Sequence, residues 1–115
     1  MTKGEGKERV MSNKIRPVTE FEIKRIDLFL ANVKDEYIEA RKEFGPFDNG
    51  HEGLAVIWEE FEELKQIVFG HPGPRELTMA YLETIQLAAM SMAFCIEVLQ
   101  KSGHSVTKDN GNVES

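Results

Sequence analysis

The 115-residue sequence has one cysteine and no long uninterrupted apolar run. A single cysteine excludes an intrachain disulfide, so we expect Cys95, inside an apolar stretch, to be a buried thiol in a reducing compartment. The first residues lack the apolar run that a secretory signal requires. The most apolar stretch, Ile85 to Leu99, contains Gln86 and Glu97 and is shorter than a membrane span. These absences predict a soluble cytoplasmic protein without a membrane partner.

Positive charge is also scarce, with 14 Lys and Arg against 20 Asp and Glu and a net charge of −6. An acidic chain repels a phosphate backbone, so we expect no nucleic-acid partner. A small anionic ligand remains compatible with this charge if a divalent cation mediates the contact. The apolar content of 41% is ordinary for a globular protein and predicts one folded domain.

Apolar residues spaced by three and four predict an all-α chain of three helices. The breakers between them are Gly45-Pro46 and the glycine- and proline-rich residues 70–74. We expect residues 1–17 and 103–115 to be flexible segments on either side of a domain at 18–102. Gly103 is the expected terminator of the third helix. The predicted helices are Thr19 to Phe44, Glu52 to Phe69 and Arg75 to Lys101. Thr19, with Glu22 three residues on, is the expected cap of the first helix, and Asp48-Asn49-Gly50 is expected to be a turn-prone linker.

The third predicted helix is apolar around nearly its whole circumference. A helix of this kind must be buried on all sides, and two other helices of one chain cannot easily enclose it. A four-helix-type bundle core completed by a second copy of the chain is the simplest solution. The sequence therefore predicts a homodimer or a higher homo-oligomer.

Four glutamates occupy five consecutive positions of the second helix. A helix turns by roughly 100° per residue, so these side chains cannot share one environment. Glu59 and Glu62 fall opposite the apolar stripe, towards solvent. Glu60 lies within the apolar band and Glu63 lies at its edge, three residues further on. Glu60 and Glu63 are therefore predicted to point together towards packed surface.

The third helix repeats this arrangement at Glu83, which has Met79 one turn before it and Leu87 one turn after it. Gln86 follows three residues later as a second oxygen donor. An unpaired carboxylate in a core costs several kcal/mol, and facing carboxylates also repel each other. One divalent cation with oxygen ligands, Mg²⁺ or Mn²⁺, would compensate all of them together.

Two alternatives to a metal site remain open from the residues alone. A run such as Glu-Glu-Phe-Glu-Glu is usually a solvated helix face. Glu83 could also be satisfied by a cation from another helix, such as Arg75 or Lys101.

The stretch from Glu36 to Leu99 resembles the MazG-like all-α nucleotide pyrophosphohydrolases. Their hallmark is EExxE, a spacer of a dozen or more residues, and then ExxD. The segment Glu59-Glu60-x-x-Glu63 matches the first half, and 19 residues separate it from Glu83. The surrounding runs HEGLAVIWEE and IQLAAM add to the resemblance.

The resemblance implies Mg²⁺-dependent hydrolysis of a nucleoside or deoxynucleoside triphosphate to the monophosphate and pyrophosphate. Glu60, Glu63 and Glu83 would be metal ligands, with Gln86 as a fourth candidate ligand. Glu60 would also be catalytic, together with Glu59, a nearby acid. Gln86 stands where the family has Asp, and its carbonyl oxygen brings no negative charge. Metal binding is then weakened, sustained by the remaining acids, or lost together with activity.

Three further residues are candidates for contacts with the substrate: His51 near the start of the second helix, and Lys65 and Arg75 beside the turn that follows it. One of the aromatic residues Phe44, Phe47 and Trp58 could stack on a base, but the expectation for each is core packing. Two other functions remain open, a non-catalytic helical interaction protein with the same fold and a diphosphate-accepting member of the same superfamily.

Overall fold

The computed structural model describes residues 16–106 and 113–114 and has the predicted all-α fold. A single π-helical turn, Cys95–Gln100, continues the third helix without a break. The predicted flexible segments lie mostly outside the described residues. The helices are α1 (Glu20–Phe44), α2 (Gly50–Phe69) and α3 (Pro74–Phe94).

The start of α1 follows from local hydrogen bonding. The Thr19 hydroxyl accepts a hydrogen bond from the Glu22 backbone N–H at 3.1 Å, and the Glu22 carboxylate accepts one from the Thr19 N–H at 2.9 Å. This reciprocal pair satisfies two N–H groups that the first turn leaves without helical partners. Thr19 therefore caps α1, as the sequence predicts. The helix ends at Gly45, whose φ of 72° is a conformation that favours glycine.

The second helix begins at Gly50, two residues before its predicted start. The Asn49 side-chain oxygen accepts a hydrogen bond from the Glu52 N–H at 2.9 Å, so Asn49 is a helix cap and not part of a free turn. At the other end of the fold, Gly103 has a φ of 93° and donates its N–H to the Gln100 carbonyl. Gly103 therefore ends the third helical region, as predicted.

The α3 helix is the centre of the fold, because both α1 and α2 pack against it. Ala89 and Ala93 are completely buried, and their small side chains allow the neighbouring elements to approach closely. Phe47, in the loop between α1 and α2, closes one end of this core. The buried apolar residues of the core cluster are Val33, Phe47, Ile85, Ala89, Met90 and Ala93.

Several side chains predicted to be buried are exposed in the single chain. Cys95 is exposed, and the prediction of a buried thiol is wrong for the monomer because the outer face of the π turn has no neighbour. Phe44 and Trp58, assigned to the core, are 76% and 62% exposed, and only Phe47 is buried as expected. Leu82 on α3 is also exposed. The described residues of one chain therefore do not enclose α3.

Two further features concern the third helix and the residues after it. The helical region Pro74–Gln100 has 27 residues and a mean hydropathy of 1.5 over its most apolar window. It is therefore long and apolar enough to cross a membrane, a property it shares with core helices of soluble proteins. After it, β1 (Ser105–Val106) pairs antiparallel with β2 (Val113–Glu114), a short ladder that the sequence analysis does not predict.

Candidate metal centre

Three carboxylates from two helices meet in the structure. Glu60 and Glu63 lie one turn apart on α2, and Glu83 reaches them from α3 because these two helices pack against each other. One oxygen atom of each lies within 4.8 Å of the others. Glu60 and Glu83 are partly buried, whereas Glu63 is exposed. The predicted convergence of these three acids is therefore present in the fold.

The cluster has no cation of its own within the described part of the chain. Glu60 Oε1 and Glu83 Oε1 are buried and have no hydrogen-bond partner there. Among residues 16–106, neither Arg75 nor Lys101 forms an ion pair with Glu83. The alternative in which a basic residue of another helix satisfies Glu83 therefore finds no support. A buried acceptor without a partner costs about 1–3 kcal/mol, more if it is charged.

The environment disfavours negative charge on the two buried acids. Burial raises the pKa of Glu60 to about 8, and the adjacent carboxyl groups of Glu83 and Glu63 add to this shift. Burial also raises the pKa of Glu83, with the charge of Glu63 as a further cause, while hydrogen bonding with Glu60 opposes the rise. Close carboxylates in a poorly solvated place avoid ionising together, so a proton or a metal ion must balance their charge.

The residues present fit a hard divalent cation such as Mg²⁺ or Mn²⁺. All three donors are carboxylates, which these ions prefer, and two of them have a buried oxygen without a partner. Mg²⁺ is typically bound by a few carboxylates and keeps other positions for water and phosphate oxygens. The exposed position of Glu63 leaves one side of the cluster open.

A cleft of about 620 Å³ adjoins the cluster. We call it the three-helix cleft, because the C-terminal half of α1, the α1–α2 loop, α2 and α3 all contribute to its wall. Glu60 borders it, together with Glu59 from α2 and Gln86 from α3. The structure therefore brings the predicted acids Glu59 and Glu60 to the same cleft as Gln86, although Glu59 is outside the group of three converging carboxylates.

The three predicted substrate-contacting residues lie elsewhere. His51 is exposed in the first turn of α2, and Arg75 is exposed in the first turn of α3. Lys65 is 3.4 Å from Glu62, on the outer face of α2. None of the three borders the three-helix cleft. A role for them in substrate binding stays a prediction.

A second polar cluster, which the sequence analysis missed, borders the cleft through Arg41 and Phe47. Glu97, in the π turn, forms an ion pair with Arg41 of α1. The Tyr37 hydroxyl donates to Glu97 Oε2 at 2.8 Å, and the Phe47 backbone N–H donates to Glu97 Oε1 at 2.9 Å. Arg41 also donates to the Gly45 carbonyl oxygen. We call this group the Glu97 cluster.

The Glu97 cluster favours ionisation of its carboxyl group. Burial alone would raise the pKa of Glu97, but hydrogen bonds from the Phe47 N–H, Tyr37 and Arg41 outweigh it and hold the pKa below its usual value. Burial and the neighbouring carboxylate raise the pKa of Tyr37. The one sequence signal for this cluster was a glutamate inside the apolar stretch Ile85 to Leu99. Its partner Arg41 is 56 residues away, which no helical spacing reveals.

No protein-family model matches this chain, and searches of the curated proteins and of the solved structures find no match either. The MazG-like resemblance rests on the sequence motifs alone.

Proposed function

We propose that this chain is a Mg²⁺-dependent nucleotide pyrophosphohydrolase that cleaves a nucleoside or deoxynucleoside triphosphate to the monophosphate and pyrophosphate. The observation that carries the proposal is the convergence of Glu60, Glu63 and Glu83, two of which have a buried oxygen without a partner among the described residues. The cleft beside them supplies room for a ligand of nucleotide size. The EExxE motif and its spacing to Glu83 connect this site with the chemistry of the family it resembles.

In this proposal the three carboxylates hold Mg²⁺, which supplies Lewis-acid chemistry at the phosphate oxygens when bound. Glu60 and Glu83 are the inner ligands, since each has a buried oxygen free to bind. Glu59 borders the cleft beside Glu60, and in this proposal it accepts a proton from the attacking water. Water adds at the α phosphorus, the bond to the bridging oxygen breaks, and pyrophosphate leaves.

A non-catalytic helical interaction protein is the second candidate, and two observations favour it. Gln86 borders the cleft where the family has an aspartate, so one negative charge is missing beside the cluster. In addition, large apolar side chains are exposed along α1. These are Phe21, Ile23, Ile26, Leu28, Leu30 and Ile38.

The same exposed apolar side chains support the proposed homodimer. Large apolar side chains exposed in this number favour burial against another copy of the chain. We expect light scattering on the eluting peak of a gel-filtration column to give twice the mass of the chain or a higher multiple. A monomer at micromolar concentration would contradict the proposal.

Pyrophosphate release tests the enzymatic proposal most directly. The full-length protein is incubated with MgCl₂ and each of the common ribo- and deoxyribonucleoside triphosphates, and with the diphosphates as a parallel set. We expect stoichiometric monophosphate and pyrophosphate from at least one triphosphate, and none in EDTA. A folded protein that releases product from no nucleotide favours the interaction protein.

Two glutamate-to-glutamine substitutions on α2 provide a matched pair of variants. We expect Glu60→Gln to lower kcat/KM by about 100-fold or more, because a metal ligand contributes several kcal/mol to the transition state. Glu62→Gln is the control, since Glu62 hydrogen-bonds Trp58 and pairs with Lys65 on the outer face of the same helix. Wild-type rates in Glu60→Gln, or equal losses in both variants, would remove the assigned role.

A further inference from the structure

Arg41 has an unused hydrogen-bonding group at the three-helix cleft. Its Nε and Nη1 atoms donate to Glu97 and to the Gly45 carbonyl oxygen. Its Nη2 atom is buried and has no partner within the described residues. Arg41 also borders the cleft that Glu60 borders. An unpartnered guanidinium N–H is costly, so an acceptor supplied by a ligand would be favourable here.

The charge of Arg41 is already balanced by Glu97. The two side chains are only 17% and 7% exposed, and the hydrogen bonds to Glu97 from Tyr37 and Phe47 fix the carboxylate in place. A guanidinium paired in this way offers a ligand N–H donors in a fixed orientation, and little net positive charge. It therefore suits a neutral acceptor such as a carbonyl oxygen better than another polyanion.

Two aromatic rings also border the cleft near Arg41. The Arg41 guanidinium lies 5.1 Å from the centre of the Phe47 ring. Phe44, at the end of α1, also borders the cleft and is largely exposed. Flat apolar surface beside a fixed hydrogen-bond donor is a combination that binds a planar heterocycle.

The separation from the metal centre matches the length of a nucleotide. The Phe47 ring lies against α2 at Gly53, where an added Cβ would be 3.0 Å from it. Gly53 and Glu60 are seven residues apart on one helix, which is about 10 Å at 1.5 Å per residue. An extended nucleoside triphosphate with its phosphates at Glu60 would place its base near Arg41 and Phe47.

We infer that Arg41 donates a hydrogen bond to an exocyclic carbonyl oxygen of the nucleotide base, with Glu97 holding the guanidinium in position. This inference rests on the proposed function, because it assumes that the phosphates lie at the carboxylates. Uracil, thymine, cytosine and guanine each carry such an oxygen. Adenine carries an exocyclic amino group, which is a donor, in place of this oxygen, so only its ring nitrogens could accept from Arg41. The site therefore discriminates against adenine nucleotides.

Equilibrium binding tests the inference without turnover. The probes are the α,β-imido analogues of dUTP and dATP, titrated into the full-length protein with MgCl₂. We expect the deoxyuridine analogue to bind about tenfold more tightly or better, the worth of one hydrogen bond to a charged donor. Arg41→Lys keeps a cation for Glu97 but loses the Nη2 donor, so the ratio should fall towards one. Arg25→Lys is the control, because Arg25 lies over Phe21 on α1 and does not border the cleft.

Each other outcome overturns the inference. Equal binding of the two analogues to the wild-type protein shows that Arg41 does not read the base, whether or not Arg41→Lys folds. Equal losses for both analogues in Arg41→Lys assign Arg41 to the phosphates. Failure of both analogues to bind, together with no pyrophosphate release from any triphosphate, removes the proposed function as well. Pyrophosphate release with no base preference removes this inference alone.

Discussion

The protein contains two clusters of partly buried glutamate that differ in how their charge is balanced. Glu97 has Arg41 as its ion-pair partner and accepts hydrogen bonds from Tyr37 and the Phe47 N–H, and its pKa is lowered. Glu60 and Glu83 meet a third carboxylate instead, and each has an oxygen without a partner. The pKa of each is raised, chiefly by burial.

The difference shows that this small fold is able to satisfy a glutamate within its interior. At Glu97 the chain itself supplies a cation, a hydroxyl and a backbone N–H. The three-carboxylate cluster receives none of these from the described residues, and it lies beside the three-helix cleft. Unbalanced charge next to a cavity is typical of functional sites. The contrast supports a cation from solution at Glu60, Glu63 and Glu83.

Removing the satisfied carboxylate should have the largest effect on stability. Glu97→Ala leaves the Arg41 charge and the Tyr37 and Phe47 donors without their acceptor, so we expect a loss of about 3 kcal/mol in unfolding free energy. Urea denaturation followed by circular dichroism measures it. Glu39→Ala is the control, because its pair with Lys42 is on the surface and should contribute less than about 0.5 kcal/mol. A loss below about 1 kcal/mol in Glu97→Ala would contradict the role of the Glu97 cluster.

The next largest loss of stability is expected at Gly53, which packs against Phe47 of the Glu97 cluster. A Cβ at Gly53 would lie 2.8 Å from Phe94 and 3.0 Å from Phe47, so Gly53→Ala should cost about 2 kcal/mol through overpacking. At Gly50 the nearest atom would be at 3.7 Å, an ordinary contact. Gly50→Ala should therefore be neutral or slightly stabilising. Similar melting temperatures for the two variants would argue against the tight contact of Phe47 with α2.

Removing a charge from the three-carboxylate cluster should increase the unfolding free energy, in contrast to the loss expected for Glu97→Ala. Between the usual carboxyl pKa and about 8, folded Glu60 keeps a proton that the unfolded chain has released. The unfolding free energy of the metal-free protein therefore falls as pH rises through this window. Glu60→Gln removes this dependence. In EDTA we expect it to be more stable than wild type by about 1 kcal/mol at pH 8, a value reduced by solvent screening of the half-buried group.

The measurement is urea denaturation of both proteins in EDTA at pH 5 and at pH 8. The advantage of Glu60→Gln should shrink at pH 5, where folded Glu60 is protonated and close to neutral Gln in its interactions. A gain in unfolding free energy that is the same at both pH values would contradict the raised pKa of Glu60. A Glu60→Gln variant that is less stable than wild type at pH 8 would contradict it as well.

The smallest expected effect concerns Gln86. Gln86→Asp restores a negative charge beside the cluster and should tighten Mg²⁺ binding by roughly threefold to fivefold, which is below about 1 kcal/mol. Isothermal titration of MgCl₂ measures the affinity. Unchanged affinity would show that Gln86 does not face the metal.

Local signals in the sequence predicted most of the fold. The periodicity of α1, its cap at Thr19 and the breakers at 70–74 act within a few residues, so spacing alone reveals them. The start of α2 was misplaced because Asn49 in Asp48-Asn49-Gly50 suits both a turn and a cap. The exposure of Cys95 was missed because apolar neighbours in sequence do not show whether another helix covers that face.

In the candidate site too, the residues with a local sequence signal were predicted and those that depend on tertiary contacts were not. Glu60, Glu63 and Glu83 were found because each interrupts an apolar stripe of its own helix, a pattern visible within one or two turns. The pairing of Arg41 with Glu97 depends on where α1 crosses the end of α3, and side-chain spacing along either helix contains no record of that crossing. The sequence analysis therefore could not predict tertiary contacts between distant segments, even though Glu97 was recognised as a glutamate in an apolar stretch.

The most direct test of the central claim is a calorimetric titration of MgCl₂ into the wild-type protein, Glu60→Gln and Glu62→Gln at pH 8. The account predicts saturable binding to the wild type and to Glu62→Gln, and its loss in Glu60→Gln. Absence of binding to the folded wild-type protein, or equal binding to all three, would contradict a metal site at the three carboxylates.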